Sequence, residues 1–294
     1  REEWTTQDLT DVIRLFARNR EVLDGLETGL ARLSQPLLAP LRWWNRNTRS
    51  GSARNIQAHY DLGNDFFAAF LDETMTYSSG VFVNGHSTMR DASIEKYDRL
   101  CRKLSVSTDD HVIEIGTGWG GFAIHAASRY GCRVTTTTIS KEQHRLATER
   151  VTEAGLEELI TVLLRDYRDL EGTYSKLVSI EMVEAVGHQY LQGYFEQCAH
   201  LLAPDGKAAI QAITVRDDWY DPRQRQVDFI KRYIFPGSFI PAISALGSAA
   251  GSTDLRLVDL EDITPHYAET LRRWRMRFLE NWDEISSMEF DDDF

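Results

Sequence analysis

Between residues 111 and 215 short apolar runs alternate with amphipathic stretches, and this alternation constrains the fold more than any other feature of the chain. HVIEI (111–115) reads as a strand and GFAIHAASRY (121–130) as a helix. CRVTTTTI (132–139) is a second strand, with KEQHRLATERVTEAG (141–155) as its helix. ITVLLRD (160–166) and KLVSIEMV (176–183) are a third and a fourth strand. YLQGYFEQCAHLLAPDG (190–206) is a helix ending in a Pro-Asp-Gly turn, and KAAIQAITV (207–215) is a fifth strand. Apolar strands separated by helices pack as a mostly parallel sheet covered on both faces. The expected class is therefore α/β, with a mostly parallel central sheet flanked by helices.

The regions on either side are read from caps and breakers. Residues 5–34 look helical, with Thr6 or Asp8 as a cap and Leu9, Val12, Ile13, Leu15 and Phe16 at helical spacing. A second helical stretch runs from Val22 to Leu33, and Pro36 and Pro40 interrupt the pattern. NTRSGSARN (47–55) is a polar connection and the best boundary. Residues 1–50 are thus expected to be a helical segment, the end of a truncated N-terminal domain, because the chain begins with Arg1 rather than Met. Residues 51–294 are the main domain, with an insertion at about 217–250 rich in aromatics and prolines. Tyr267 to Glu284 is expected to be helical, and EFDDDF closes the chain.

Charge narrows the partners. A formal net charge of −12 argues against a general nucleic-acid binder. No apolar run approaches the roughly 20 residues that span a bilayer. From Thr28 to Tyr60, however, there is no acidic residue, while Arg32, Arg42, Arg46, Arg49 and Arg54 fall there. LRWWNRNTR (41–49) sets two tryptophans among arginines, a mixture suited to an anionic membrane surface. A solvated linker whose tryptophans pack on the next domain is the competing reading. Cys101, Cys132 and Cys198 are scattered and lack metal-ligand spacing, so they are expected to be reduced thiols and no metal site is expected.

The loop VIEIGTGWGG (112–121) carries the chemistry. Gly116, Gly118 and Gly121 fit G-x-G-x-x-G letter for letter. Glycines between a first strand and its helix let backbone approach a ligand and aim helix N–H groups at it. A dinucleotide site also wants an acidic residue about 20 positions on, for the ribose. Here the second strand ends in TTTTIS, with no carboxylate, so a nicotinamide dehydrogenase rests on the glycines alone. Glu114 closing the strand before Gly-x-Gly resembles instead the start of the S-adenosylmethionine (SAM) methyltransferases, and that resemblance implies SAM as the ligand. That ligand has no phosphate, and Glu114 would organise the loop and reach its ammonium through water.

Further segments, in order, are HYDLGNDFF (59–67), MTYSSGVF (75–82), TTTISKEQ (136–143), LLRDYRDL (163–170), SIEMVEAVG (179–187), LLAPDG (201–206) and RYIFPG (232–237). With the glycine loop they resemble the cyclopropane-fatty-acid synthase family over about residues 40–280. That family includes the mycolic acid cyclopropane synthases and fatty-acyl C-methyltransferases. The resemblance implies a SAM-dependent methyltransferase domain acting on the cis double bond of an unsaturated acyl chain of phospholipid. The double bond attacks the sulfonium methyl, and proton loss from the new methyl closes a cyclopropane ring. The enzyme would be cytoplasmic and peripherally attached to the inner face of the membrane, with no nucleic acid as partner and a homodimer left open.

The resemblance also assigns residues. Gly116 and Gly118 would line SAM. Thr138, Ile139 and Gln143 would contact the ribose, with Gln143 replacing the missing carboxylate. Asp166 and Tyr167 would bracket the adenine, and Tyr77 and Ser78 would close over the methionine end. Ser79, Glu184, Gln211, Ile213 and Tyr267 would form a pocket for bicarbonate, taken as the base. Two positions depart from the better-known synthases, which have Cys where Ser79 stands and His where Gln211 stands. Loss of a titratable His beside the anion keeps a same-family alternative alive, a methyl-branched or methylene product of the 10-methyl type. A saturated product would then require a separate reductase. A non-catalytic lipid- or SAM-binding protein is a further alternative. Phe66, Phe67, Phe70, Phe229, Tyr233 and Phe235 are candidates to line an acyl tunnel, while His59, His125 and His188 read as structural.

Overall fold

The computed structural model describes residues 6, 8–19, 48, 51, 63–220, 230–235 and 237–288, the side chains of 232 and 233 excepted. The helical stretch 22–33, the arginine–tryptophan segment, most of the 47–55 connection, His59, Phe229, the Tyr233 side chain and the acidic end lie outside the described residues. The chain divides into two compact units, residues 1–45 and 46–294. In the first, α1 (Leu9–Arg18) starts at Asp8, whose carboxylate accepts the Asp11 N–H at 3.2 Å.

In the second unit, β1 (His111–Ile115), β2 (Arg133–Thr138), β3 (Ile160–Leu164), β4 (Tyr174–Ile180) and β5 (Leu202–Gln211) form one sheet in the order β3-β2-β1-β4-β5. Every pairing is parallel. Alternation of side chains along a strand sends neighbours to opposite faces. Val112, Val134 and Val178 therefore pack on one side with Phe122, Ala123 and Ala126 of α4 (Gly121–Tyr130), Val151 of α5 (Lys141–Glu153) and Tyr97 and Cys101. Ile113, Ile115 and Leu177 pack on the other with Tyr194, Phe195, Cys198 and Leu201. All three cysteines are buried free thiols, with Cys132 in the first of these clusters. Parallel strands place all their carboxyl ends along one edge of the sheet, where ligands of open α/β sheets bind.

Several expected boundaries move. The fourth strand stops at Ile180 rather than residue 183, and the fifth at Gln211 rather than residue 215. Val183, buried in a 3₁₀ turn, and Ile213, half-buried in the irregular stretch after β5, are apolar outside the sheet, so their hydropathy mimics strand. The helix expected over 190–206 is shorter, α6 (Leu191–Leu201). Leu202 already pairs with Tyr174, and the register then jumps to Lys176↔Lys207. Pro204 and Gly206 thus occupy an irregular stretch of strand, consistent with a residue that cannot donate to a ladder.

One long helix has no counterpart in the sequence reading, α3 (Met89–Leu104). It starts with a capping box in which Thr88 and Asp91 satisfy each other's backbone N–H groups. In the 217–250 region the described elements are a short 3₁₀ turn at Asp217–Trp219, a π-helical turn at Ile230–Ile234, and α7 (Ile243–Ala250). The expected C-terminal helix is two, α8 (Thr264–Glu280) and α9 (Trp282–Ser286). Phe66, Phe67 and Phe70 of α2 (Asn64–Phe70) are buried against Trp119, Trp274 and Ile285. Those three phenylalanines are core, and Phe235 stacks on Tyr77 at 6.2 Å between centroids.

Candidate active site

The glycine loop leaves β1 and turns back on itself. Gly116, Gly118 and Gly120 have φ of 103°, 52° and 86°, where a side chain is strained. The N–H groups of Gly116 and Thr117 both donate to Thr137 O, at 3.1 and 2.9 Å, which ties the loop to β2. A Cβ on Gly116 would meet Met182 at 3.2 Å, whereas one on Gly118 would enter open space, so the loop leaves room beside Gly118 for a ligand. Below it Glu114 is 2% exposed and accepts the Thr136 hydroxyl at 2.6 Å. Thr117 and Thr136 hydroxyls are 2.7 Å apart, completing a buried chain. Burial pushes the Glu114 carboxyl up to about 8, opposed by Thr136 and by the charge of Lys96.

At the end of β2, the Thr138 hydroxyl donates to Gln143 Oε1 at 2.8 Å and accepts the Ser140 N–H at 3.1 Å. Gln143 is buried on the first turn of α5, and Ile139 is half-buried beside it. At the end of β3, Asp166 caps a 3₁₀ turn and is held by the Arg168 guanidinium, at 2.8 and 2.6 Å. Tyr167 packs edge-on against Tyr194 at 5.5 Å. An open cradle, a buried carboxylate beneath it, and amide and carboxylate groups on two further strand ends fit a nucleoside with a cationic amino-acid arm, as in SAM. When bound there, that group supplies an electrophilic sulfonium methyl.

A second cluster crowns β4 and β5. Glu181 follows the last residue of β4 with φ of 47°, the left-handed region that non-glycine residues avoid. Its N–H donates to Gln211 O at 2.8 Å. Its Oε1 accepts the Ser79 N–H at 2.9 Å and the Gln211 Nε2–H at 2.8 Å. The other Gln211 amide hydrogen goes to Ser79 O at 3.3 Å, and the Ser79 hydroxyl to Gly80 O at 3.1 Å. Glu184 lies one turn on, 9% exposed, and its Oε1 accepts the Ile213 N–H at 2.5 Å. Its Oε2 is buried with no hydrogen-bond partner. Burial, and then the charge of Glu181, pushes the Glu184 carboxyl up to about 8. Tyr267, on α8, is half-buried, and both glutamates raise its hydroxyl further above the usual phenol value after burial.

Ser79, Glu184, Gln211, Ile213 and Tyr267 thus belong to one cluster, and its donors are turned mainly on its own carboxyl groups rather than on an open anion site. The Ser79 N–H, the Gln211 amide and the Ile213 N–H all serve Glu181 or Glu184. Among the described residues the donors left over are the Tyr267 hydroxyl and, below about pH 8, the proton carried by Glu184.

Two members escaped the sequence reading. Glu181 sits inside SIEMV, read there as strand, and only its charge in an apolar run marks it. Lys96 of α3 is 1% exposed and donates to Ser78 Oγ at 2.5 Å. Burial lowers its ammonium to about 8 against the opposing charges of Glu181, Asp72 and Glu114, so it stands between the two clusters. Tyr77 is packed among Phe67, Trp274 and Phe235, at 5.2, 5.1 and 6.2 Å.

Comparison with known proteins accords with this arrangement. Residues 47–294 match the family model described as mycolic acid cyclopropane synthetase. The chain is 40% identical over 300 residues to tuberculostearic acid methyltransferase UfaA1 of Mycobacterium tuberculosis, covering 99% of this chain and 70% of that protein. It is 35% identical over 251 residues to cyclopropane-fatty-acyl-phospholipid synthase of Escherichia coli, covering 85% of this chain and 63% of that one. It spans 57% of a probable fatty acid methyltransferase of Pseudomonas putida, at 36% identity over 225 residues and 76% of this chain. The matched stretch thus spans less than two thirds of these last two relatives. Among solved structures, the cyclopropane synthase MmaA2 from Mycobacterium tuberculosis superposes with a TM-score of 0.76 at 29% identity, covering 81% of this chain and 86% of that one. Mycolic acid cyclopropane synthase CmaA1, complexed with SAH and CTAB, gives 0.75 at 29% identity over the same shares. The fold is that of the Rossmann-like SAM-dependent methyltransferases, and the chain belongs to the mycolic acid cyclopropane synthetase family.

Proposed function

We propose that the chain is a SAM-dependent C-methyltransferase acting on the cis double bond of an unsaturated acyl chain in phospholipid. The observation that carries this reading is the buried, unpartnered Oε2 of Glu184 on the same sheet edge as the glycine cradle. A carbon–carbon bond formed at an alkene leaves a proton to be removed, and an acceptor without a donor suits that task. Gly116, Gly118, Glu114, Thr138, Gln143, Asp166 and Tyr167 hold and orient the cofactor in this reading. Tyr77 and its aromatic neighbours keep water from the methionine end. Ile230, Phe235, Ile240 and Ile243 are exposed around the insertion and support approach of a lipid chain. No helix among the described residues is long and apolar enough to cross a membrane, so attachment would be peripheral.

Ring closure to a cyclopropane is one product. A methylene or 10-methyl branch is the second, favoured by Ser79 and Gln211 serving Glu181 and by the similarity to a tuberculostearic acid methyltransferase. The test is expression in a host rich in cis-unsaturated phospholipid fed methyl-labelled methionine, with proton NMR of the acyl chains. Labelled upfield ring protons mean a cyclopropane; labelled methyl or methylene signals without them mean branching. Lipid without label would overturn the methyltransferase reading.

A further inference from the structure

We infer that this pocket carries its own anion and its own base and works without bicarbonate, with Glu181 as the fixed anion and Glu184 Oε2 as the proton acceptor. The inference rests on the methyl-transfer reading and concerns the step after it.

The hydrogen bonds come first. A small oxyanion needs donors, and two of those at hand, the Ser79 N–H and the Gln211 amide, converge on Glu181 Oε1 at 2.9 and 2.8 Å. Ile213 N–H is held by Glu184 Oε1. An incoming bicarbonate would have to displace a tethered carboxylate from donors already oriented for it.

The charges agree. Glu181 and Glu184 stand three residues apart beyond the end of β4, and the buried Lys96 ammonium is the cation whose charge acts on Glu181. A further anion would enter a buried site where the Glu181 charge already has that one cation, and burying unpaired charge is costly. The backbone also favours the assignment. A left-handed φ at Glu181 is strained, and strain of this kind persists where the side chain's contacts hold it.

The roles then divide. Burial pushes the Glu181 carboxyl up, and Lys96 and the two hydrogen-bond donors on its Oε1 oppose that push, so Glu181 is the member of the pair built to carry the charge. For ring closure, a C–H bond of the new methyl breaks and its electron pair bonds the methyl carbon to the cationic carbon. For a methylene branch, the hydrogen on the methylated carbon first shifts with its pair to the cationic carbon, and a methyl C–H pair then forms the double bond. In both, the proton passes to Glu184 Oε2. No oxidant or further reactant is required.

The experiment uses labelled-methyl transfer to unsaturated phospholipid vesicles in buffer freed of carbon dioxide, with and without added bicarbonate. The wild-type rate should be the same in both. Glu181→Gly suits the left-handed backbone and should fold, which circular dichroism and binding of S-adenosylhomocysteine check. Its rate should fall about tenfold or more, and bicarbonate should restore part of it. In parallel, ¹³C-bicarbonate NMR should show no line broadening with wild-type protein and broadening with Glu181→Gly. Bicarbonate dependence or ¹³C broadening in the wild type would overturn the inference. If no vesicle lipid is labelled under any condition, the methyltransferase reading fails, and the ¹³C experiment still decides whether the pocket takes bicarbonate.

Discussion

The Lys96 ammonium lies 2.5 Å from Ser78 Oγ, so a buried cation is anchored on the segment that precedes the pocket. Its charge is felt by Glu181, Asp72 and Glu114. Lys96→Met leaves these carboxylates without their shared counter-charge. Removal of one partner from a buried charge cluster costs about 3–5 kcal/mol. Urea denaturation at neutral pH should show a loss of that order, and an unchanged midpoint would mean that the three acids do not depend on Lys96.

Glu114 should couple cofactor binding to a proton. Its carboxyl is pushed up to about 8, so the ligand-free protein holds it largely neutral at pH 7. A bound sulfonium and ammonium favour the ionised form. Binding of SAM should therefore release a proton, and affinity should rise as pH rises toward about 8 and then level off. Calorimetry in two buffers of different ionisation enthalpy measures the release directly, and Glu114→Gln should abolish it. In the ligand-free protein the sign is also fixed. A folded value above 4.5 means stability that is complete below about pH 4.5 and is lost as pH rises through about 8. Glu114→Gln should flatten thermal stability across that window.

Glu184 should govern turnover and not cofactor affinity. Loss of a positioned proton acceptor costs about 10²–10⁴-fold in rate. Glu184→Gln should lose activity on that scale while binding S-adenosylhomocysteine as the wild type does. Because the acceptor works ionised and its carboxyl is pushed up to about 8, the wild-type rate should climb through pH 8. A rate flat from pH 6 to about 9 would remove Glu184 from this role.

The strands and the glycine loop were legible because burial on both faces writes continuous apolar runs, and because Gly116 and Gly118 adopt φ values that side chains resist. Strand ends were not, since Val183 and Ile213 are apolar outside the sheet. The Met89–Leu104 helix hid because its buried face includes Ser93 and Lys96, which break the apolar stripe; its Thr88-x-x-Asp91 cap was the available signal. Glu184 stood out as a bare carboxylate after a strand. Glu181 did not, because its role arises from pairing across strands with Gln211, a relation that no local window contains. Gln143 was marked by its place after β2, but its bond to Thr138 is visible only in the fold.

Burial of the three cysteines has a consequence for chemical self-protection. Cys101 and Cys198 are pushed up to about 12 and Cys132 to about 11, chiefly by desolvation. The thiolate, not the thiol, attacks soft carbon electrophiles. A protein that handles a methyl sulfonium keeps its softest atoms protonated and walled in by the sheet's two cores. Iodoacetamide should label none of the three in the native state, and the same seclusion guards the enzyme against alkylation by its own reagent.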